Sequence, residues 1–207
     1  MAIKRIIFDL DNTLIPWEDE YLNGIKSVCK KFNLDYDYHA INDVIDTSFE
    51  NEYLCYSIEN FQTYIKNQLN LELSKEFITS WLDSVGNMSK ENPEANEILA
   101  YLKPKYDLVV LTNWFAEGQE KRMEHARMRH FFTKVYGGDT FVKPSKEAFK
   151  AAIGDYKPEE CLMVGDSYEI DYKGAIDAGL NAILLSNKEP LPNVNTIKSL
   201  KELKNIL

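Results

Sequence analysis

Three features are scarce in this chain of 207 residues, and each scarcity excludes a class of function. No apolar run reaches the roughly 18 residues that a membrane-spanning helix needs. Basic residues are outnumbered, because 24 Lys and Arg stand against 33 Asp and Glu and leave a formal net charge of −9. Binding the phosphate backbone of a nucleic acid needs clustered cations. We therefore expect neither a membrane nor a nucleic acid as a partner.

Cysteine is the third scarce feature. Cys29, Cys55 and Cys161 are odd in number and widely separated, which favours reduced thiols over a disulfide framework or a zinc site. The residues Met1-Ala2-Ile3-Lys4-Arg5 run directly into an apolar segment and lack the pattern of a signal peptide. The expected location is the cytoplasm.

What the chain does contain is one repeated order of segments: an apolar run of strand length, polar residues, then a helical pattern. The apolar runs are continuous, which is typical of strands buried on both faces of a parallel sheet. The runs are Ile6-Ile7-Phe8, Leu108-Val109-Val110-Leu111, Leu162-Met163-Val164 and Ala182-Ile183-Leu184-Leu185. Helices are expected near 94–102, 115–127, 145–153 and 170–178. This order predicts an α/β fold with a doubly wound parallel sheet.

Residues 16–90 break this order, because they contain spaced aromatic and aliphatic residues among many acids and no continuous apolar run. They predict helices near 18–32, 38–54, 57–69 and 74–87. We expect an all-helical cap domain of residues 16–90, inserted after the first strand into an α/β core domain of residues 1–15 and 91–207. Hinges are expected at 15–17 and 88–93, which would let the cap act as a lid. A packing subdomain without a catalytic role is the alternative.

Polar residues follow the apolar runs at the points where the strands end. Asp9 and Asp11 follow the first run, and residues i and i+2 of an extended segment face the same side. Two carboxylates that close repel each other unless a cation or a proton lies between them. A turn that closes a buried strand is the alternative explanation. Since ligands bind at the carboxyl ends of parallel strands, we expect the polar clusters to meet there, joined by the loop cation of Lys143-Pro144.

Taken in order, these clusters resemble the four motifs of the haloacid dehalogenase-like hydrolases. The motifs are Asp9-Leu10-Asp11-Asn12-Thr13, Leu111-Thr112-Asn113, Lys143-Pro144 and Gly165-Asp166-Ser167-Tyr168-Glu169-Ile170-Asp171. The resemblance covers nearly the whole chain, and the place of the helical insertion is similar to the first cap type of that family. Each motif alone is weakly specific, whereas four in the same order are strongly specific.

The resemblance implies a catalytic role for three residues. Asp9 would be the nucleophile that forms an aspartyl-phosphate, and Asp11 would be the general acid and base. Lys143 would neutralise the nucleophile and the transferring phosphoryl oxygens. The hydroxyl of Thr112 and the backbone N–H of Asn113 would bind those oxygens without adding negative charge.

The resemblance also implies Mg²⁺ as the cofactor. Asp9, the backbone carbonyl of Asp11 and the carboxylate of Asp166 would hold the ion. Thr13 and Asp171 would support the site, and Asp171 would either ligate through water or orient Lys143. Gly165 would permit a close approach of the backbone.

Within the resemblance, Asp11 favours a phosphatase over a haloacid dehalogenase, because displacement of a halide needs no acid for an alkoxide leaving group. The expected substrate is a small soluble phosphomonoester of the sugar, glycolate, nucleotide or flavin phosphate class. A sugar phosphomutase stays open. A phosphoacceptor signalling domain is disfavoured because Asp166 and Asp171 follow Lys143, and a silent binding protein is disfavoured because every chemical residue is present. The chain would be a monomer or a homodimer.

Two further groups of residues are expected to have ordinary structural roles. The basic segment 121–130 reads as the solvated face of a helix, with a contact to an anionic partner or a second copy as the alternative. His125 and His130 are five residues apart, which misses the spacing of two metal ligands on one helical face. Six aromatic residues near the hinges or motifs are expected in the core rather than in a substrate pocket: Trp17, Tyr21, Tyr53, Tyr56, Trp114 and Phe115.

Overall fold

The computed structural model describes residues 2–45, 49 and 52–207. Over these residues a six-stranded parallel sheet has the order β3-β2-β1-β4-β5-β6. The strands are β1 (Arg5–Phe8), β2 (Asp107–Leu111), β3 (Lys134–Tyr136), β4 (Cys161–Gly165), β5 (Asn181–Leu185) and β6 (Thr196–Ile197). The strand order reverses between β1 and β4, so the predicted doubly wound α/β fold is confirmed. Such a reversal opens a crevice for ligands at the carboxyl ends of the strands.

Helices cover both faces of this sheet. The core helices are α5 (Pro93–Leu102), α6 (Ala116–His125), α7 (Lys146–Ile153) and α8 (Gly174–Asp177). Along β1, Ile6 and Phe8 belong to the apolar cluster that contains α5, while Ile7 belongs to the opposite cluster, which contains α7. All three side chains are fully buried. The continuous apolar runs are therefore explained by a sheet that is covered on both sides.

The last predicted core helix differs from the structure. Instead of one helix over 170–178, a π-helical turn over Tyr168–Lys173 precedes the short α8. The backbone N–H groups of Asp171 and Tyr172 both donate to the carbonyl of Ser167, at 3.0 and 3.1 Å. The widened turn places Asp171 inside the site described below, as π turns often do at functional positions.

Two strands were not expected from the sequence. The strands β3 and β6 span three and two residues at opposite edges of the sheet. An edge strand of this length pairs on one side only and carries no continuous apolar run, so periodicity does not reveal it.

The predicted insertion is helical in the part that the structure describes. It contains α1 (Glu20–Phe32), α2 (Tyr38–Val44), α3 (Ile58–Leu69) and α4 (Lys75–Met88). Asn33 and Asn70 end α1 and α3 in the left-handed conformation, which asparagine tolerates well. The predicted helix 38–54 is wrong at its end, because α2 stops at Val44 and Tyr53 has a φ of 52°. Residues 46–48, 50 and 51 of that prediction lie outside the described residues.

An aromatic cluster joins the insertion to the sheet. Trp114 and Phe115, which directly follow the second motif, pack among residues of the insertion that include Tyr21, Tyr56 and Trp81. The ring centroids of Trp114 lie 4.3 Å from Tyr21 and 5.3 Å from Trp81. The expectation of core aromatics is confirmed for Tyr56, Trp114 and Phe115, which are buried, while Tyr21 is buried and also lines the cavity described below. It is wrong for Tyr53, which is 47% exposed, and Trp17 is half-buried.

Other expectations about composition have clear outcomes. All three cysteines are free, with Cys29 and Cys161 buried and Cys55 half-buried. Burial raises the pKa of the Cys161 thiol to about 11, which keeps it protonated and unreactive. Among the described residues, no helix combines the length and apolarity that crossing a bilayer requires. The division of the chain into a core domain and a cap domain stays a prediction.

The packing of α1 on α4 depends on Gly24, where a Cβ atom would lie 2.8 Å from both Trp81 and Val85. We predict that Gly24→Val lowers the free energy of unfolding by about 1–3 kcal/mol because it overpacks this contact. Urea unfolding provides the measurement. Ser27→Val, on the exposed side of the same helix, is the matched control. Equal stability of the two variants would contradict the close packing of these helices.

Candidate active site

The polar clusters meet at the carboxyl edge of the sheet, in a cavity of about 280 Å³. Its walls come from the ends of β1, β2 and β4, from the Lys143 loop and from the start of the helical insertion. The lining residues are Asp9, Asp11, Asn12, Trp17, Tyr21, Thr112, Asn113, Lys143, Asp166, Ser167, Ile170 and Asp171. The structure thus brings together every predicted site residue except Thr13, which lies directly behind Asp9.

The turn after β1 sets the positions of the first two acids. Asn12 adopts a φ of 59°, and its N–H donates to the carbonyl of Ile15 at 2.8 Å. Asparagine is one of the few residues that accept this left-handed conformation. The hydroxyl of Thr13 donates to Asp9 Oδ2 at 3.0 Å. The motif is therefore both a tight turn and a pair of acids that face the cavity.

Lys143 lies between two buried carboxylates. Its Nζ is 2.6 Å from Asp9 Oδ1 and 2.7 Å from Asp171 Oδ1. The residues Lys143 and Asp171 are each 2% exposed, and Asp9 is 6% exposed. Buried charges cost free energy unless they are paired and hydrogen-bonded. One ammonium group thus makes the burial of both carboxylates possible.

Asn113 holds the backbone of Lys143 with its side chain. The amide nitrogen Nδ2 donates to the carbonyl of Lys143 at 2.8 Å, and Oδ1 accepts from the N–H of Lys143 at 2.7 Å. This pair of hydrogen bonds to the Lys143 loop was not expected from the sequence. It fixes the origin of the lysine side chain and occupies the amide of Asn113. The predicted use of the Asn113 backbone N–H for phosphate stays a prediction.

Gly165 and Asp171 fit closely against each other. A Cβ atom at position 165 would lie 2.4 Å from the carboxyl carbon of Asp171, so any larger residue would displace this carboxylate. Asp171 Oδ2 also accepts from the N–H of Ser167 at 3.0 Å. Gly174, in contrast, faces Phe149 and Pro144, which agrees with a packing role.

The electrostatic balance of the site is negative. Four carboxylates, those of Asp9, Asp11, Asp166 and Asp171, stand against the cations of Lys143 and Arg122.

Burial raises the pKa of Asp9 to about 8, and the charge of Asp171 adds to the effect while Lys143 opposes it. Burial alone would lower the pKa of Lys143, but the carboxylates of Asp171 and Asp9 hold it above its ordinary value. Loss of solvation and the nearby Asp171 raise the pKa of Asp166 to about 6, although this residue is exposed.

Three of these acids could hold a cation. Carboxylate oxygens of Asp9, Asp166 and Asp171 all lie within 4.8 Å of one another, and no second such group exists among the described residues. Asp9 and Asp171 each accept hydrogen bonds through both oxygens, Asp9 from Lys143 and Thr13, and Asp171 from Lys143 and Ser167. Since a carboxylate oxygen can accept a second contact, the three acids together form a donor set that fits a hard divalent cation.

Two buried side chains of α6, Gln119 and Arg122, complete the site and were missed in the sequence. Arg122 is fully buried, and its Nη1 donates to Asp11 Oδ1. The amide of Gln119 donates at 2.8 Å both to Asp11 Oδ2 and to the hydroxyl oxygen of Thr112. Because Gln119 only donates to that oxygen, the hydroxyl hydrogen of Thr112 stays available for a ligand.

The reading of 121–130 as a solvated face is therefore wrong for Arg122, although Glu124, His125, Arg127 and His130 are exposed as expected. Buried positions of α6 and the following turn recur at helical spacing: Gln119, Arg122, Met123 and Ala126. This stripe was the available signal. An arginine on a buried stripe needs a carboxylate partner, and the second acid of the first motif is that partner.

The raised pKa of Asp9 predicts how stability depends on pH. Between pH 3.8 and about 8 the folded chain keeps a proton that the unfolded chain loses, so raising the pH favours the unfolded state. In chelator, we expect the stability of Asp9→Asn relative to the unsubstituted chain to increase across this range. Urea unfolding at pH 5, 6.5 and 8 measures it. A stability difference that does not change with pH would show that Asp9 ionises normally.

Comparison with known proteins shows the family of this chain. The family model described as haloacid dehalogenase-like hydrolase matches residues 6–185. The chain is 25% identical to the pyrimidine 5'-nucleotidase YjjG of Escherichia coli (strain K12), with 98% of this chain and 96% of that protein covered. It is 24% identical to the N-acylneuraminate-9-phosphatase of Homo sapiens, over 90% of this chain and 83% of that one.

A solved structure confirms the fold. The putative hydrolase YfnB from Bacillus subtilis, bound to magnesium, superposes with a TM-score of 0.72 at 23% identity, covering 100% of this chain and 99% of that one. The family model covers most of the chain, including all four motifs that meet in the cavity. The chain belongs to the haloacid dehalogenase-like hydrolases.

Proposed function

We propose that this chain is a Mg²⁺-dependent phosphatase that hydrolyses a small soluble phosphomonoester through an aspartyl-phosphate at Asp9. The observation that carries the proposal is the pairing of Asp9 with Lys143 at 2.6 Å, in a cavity that Asp11 also lines. A buried carboxylate beside a fixed ammonium group is a nucleophile that a phosphate dianion can approach.

The chain's own residues account for both steps of the reaction. Asp9 attacks phosphorus while the bond to the leaving oxygen breaks, and Asp11 donates a proton to that oxygen. Asp11 then accepts a proton from a water molecule, which attacks the aspartyl-phosphate, releases inorganic phosphate and regenerates Asp9. Lys143, the hydroxyl of Thr112 and the backbone N–H of Asn113 bind the phosphoryl oxygens during both transfers.

The excess of carboxylates supports Mg²⁺ as the cofactor. Asp9, Asp166 and the backbone carbonyl of Asp11 would hold the ion, and Asp171 would support the site through Lys143. The bound ion would neutralise charge on the phosphoryl oxygens. The similar YfnB structure contains magnesium, which agrees with this cofactor.

Asp11 favours phosphate chemistry over dehalogenation, because an alkoxide leaving group needs the proton that this residue can carry. The names of the relatives agree, since the two proteins compared above are a nucleotidase and a sugar-acid phosphatase. A glyceraldehyde 3-phosphate phosphatase from Methanothermobacter thermautotrophicus is 34% identical over 101 residues, which is 46% of this chain. These relatives act on different esters and do not select one substrate.

The cap would close over the substrate. Trp17 and Tyr21 line the catalytic cavity and also a second cavity of about 350 Å³, which includes Glu18 and Asp19. The described lining of these two cavities contains one cation, Lys143, and it is already paired with two acids. This lining favours a leaving alcohol without a second anionic group. Sugar and nucleoside monophosphates fit better than phosphoglycolate.

Phosphate release tests the two acids separately. We predict that Asp9→Asn abolishes turnover, because no nucleophile remains, and that Asp11→Asn lowers kcat by about 10²- to 10⁴-fold. The substrates are sugar, glycolate, nucleotide and flavin phosphates. Asp155→Asn, an exposed acid between α7 and β4 that does not line the cavity, is the control and should behave as wild type. Equal phosphate release by wild type and Asp9→Asn on every ester would overturn the mechanism.

Removal of the metal gives a separate prediction. EDTA should stop turnover, and added Mg²⁺ should restore it. Mg²⁺ should also raise the thermal unfolding temperature of wild type, because it binds the folded state only. Asp166→Asn should need at least about tenfold more Mg²⁺ for the same rise, since one charged ligand is lost. An unfolding temperature that does not respond to Mg²⁺ in wild type would exclude this site.

A further inference from the structure

Arg122 makes contacts that a structural ion pair does not require. Its Nη1 donates to Asp11 Oδ1 and to Gln119 Oε1, the latter at 2.7 Å. Its Nε donates to Ser89 Oγ at 2.9 Å, and its Cζ lies 4.7 Å from the ring centroid of Trp17. The side chain is completely buried. One guanidinium therefore touches the proposed proton carrier and two segments at the base of the cap.

The contacts to Asp11 define its orientation. Arg122 holds Oδ1, and Gln119 holds Oδ2 at 2.8 Å, so both carboxylate oxygens accept hydrogen bonds from α6. Since Gln119 and Arg122 are three residues apart, they lie on the same face of the helix. Arg122 also binds Gln119, which closes a ring of three side chains. The plane of the Asp11 carboxylate is thereby fixed.

The other two contacts reach the expected hinges. Ser89 follows the last residue of α4 and is 2% exposed, and Trp17 lies just before α1. A cap movement that displaces Ser89 or Trp17 would change their distances to Arg122. A planar guanidinium donates from several nitrogens in a fixed geometry, so a shift of one partner would be transmitted to Asp11.

We propose that Arg122 is a positioning residue that orients Asp11 for proton transfer and makes this orientation depend on the position of the cap. The inference rests on the proposed role of Asp11 as general acid and base. With the cap as observed, Arg122 and Gln119 hold the carboxylate against α6. Movement of Ser89 and Trp17 draws Arg122 along and changes which Asp11 oxygen can face the leaving group.

The remaining donor of the guanidinium, Nη2, is consistent with Arg122 exchanging hydrogen-bond partners. Arg122 Nη2 is buried and has no hydrogen-bond partner among the described residues. A buried donor without a partner costs free energy, and native structures retain few of them. When Asp11 moves, Nη2 can replace Nη1 as the hydrogen-bond donor, so the ion pair with Arg122 is kept.

The test uses the dependence of rate on the leaving group. A phosphomonoester with a good leaving group, p-nitrophenyl phosphate, needs little help from a general acid, whereas an alkyl phosphate needs much. The quantity measured is kcat/KM, which reports the first transfer and not hydrolysis of the aspartyl-phosphate. The alkyl ester is the sugar or nucleoside monophosphate that wild type hydrolyses best.

We expect Arg122→Met to lower kcat/KM for the alkyl ester by about 10²-fold and for p-nitrophenyl phosphate by less than about fivefold. Asp11→Asn should show the same pattern. In the Asp11→Asn background, Arg122→Met should lower the rate by less than about threefold, because the two residues act as one unit. Equal losses on both esters would show a purely structural role and overturn the proposal.

Ser89→Ala tests the connection to the cap, because it removes the hinge contact and leaves the pair with Asp11 intact. It should lower kcat/KM for the alkyl ester by about threefold or more, again with little effect on p-nitrophenyl phosphate. Wild-type rates for Ser89→Ala would overturn the dependence on the cap. Arg129→Met is the matched control, since Arg129 pairs with Glu120 at 2.6 Å, outside the site.

Thermal unfolding of each variant separates misfolding from mispositioning. If Arg122→Met does not fold, the same two esters are measured with Arg122→Lys and Gln119→Met. If each of these variants loses as much kcat/KM on p-nitrophenyl phosphate as on the alkyl ester, the proposal is overturned. The proposed function fails differently. Its failure would appear as no phosphate release by wild type from either ester.

Discussion

The ammonium group of Lys143, held between Asp9 and Asp171, is the interaction on which the rest of the site depends. Each carboxylate is almost completely buried, and neither could remain ionised there without a cation. Several local features exist to permit this contact. Gly165 leaves space for Asp171, and Asn113 fixes the backbone of the lysine. The end of each central strand thus contributes one constraint to the same ion pair.

A second set of contacts couples this site to the helical insertion. Thr112 and Asn113, the candidates for phosphate binding, are followed directly by Trp114 and Phe115. These two side chains pack in the aromatic cluster that joins the insertion to the sheet. From the other side, Arg122 links Asp11 to Ser89 and Trp17. The packing of the insertion is therefore connected to Asp11 through Arg122 and to Thr112 and Asn113 through Trp114.

Local pattern predicted the central part of the fold because burial on two faces leaves a continuous apolar run, as in Ile6-Ile7-Phe8. It failed for β3 and β6, where two or three residues at an edge carry no such pattern. It also failed at the end of the predicted helix 38–54, where Tyr53 is left-handed. In the site, Asp9, Thr112 and Asp166 were predicted because each directly follows a strand, and Lys143 because Pro144 marks a loop at the same edge. Arg122 was not, because its partner Asp11 is 111 residues away and only the tertiary fold brings them together.

The amino-acid sequence by itself determined the parallel sheet, the family motifs and the meeting of their acids at one edge, because strand burial and motif order are local properties. Tertiary structure alone decided how those acids are paired. It placed Lys143 between Asp9 and Asp171, turned the side chain of Asn113 toward a loop and buried Arg122 against Asp11. These choices depend on distances between segments that are far apart in the chain. Long-range packing sets such distances, and local sequence does not encode them.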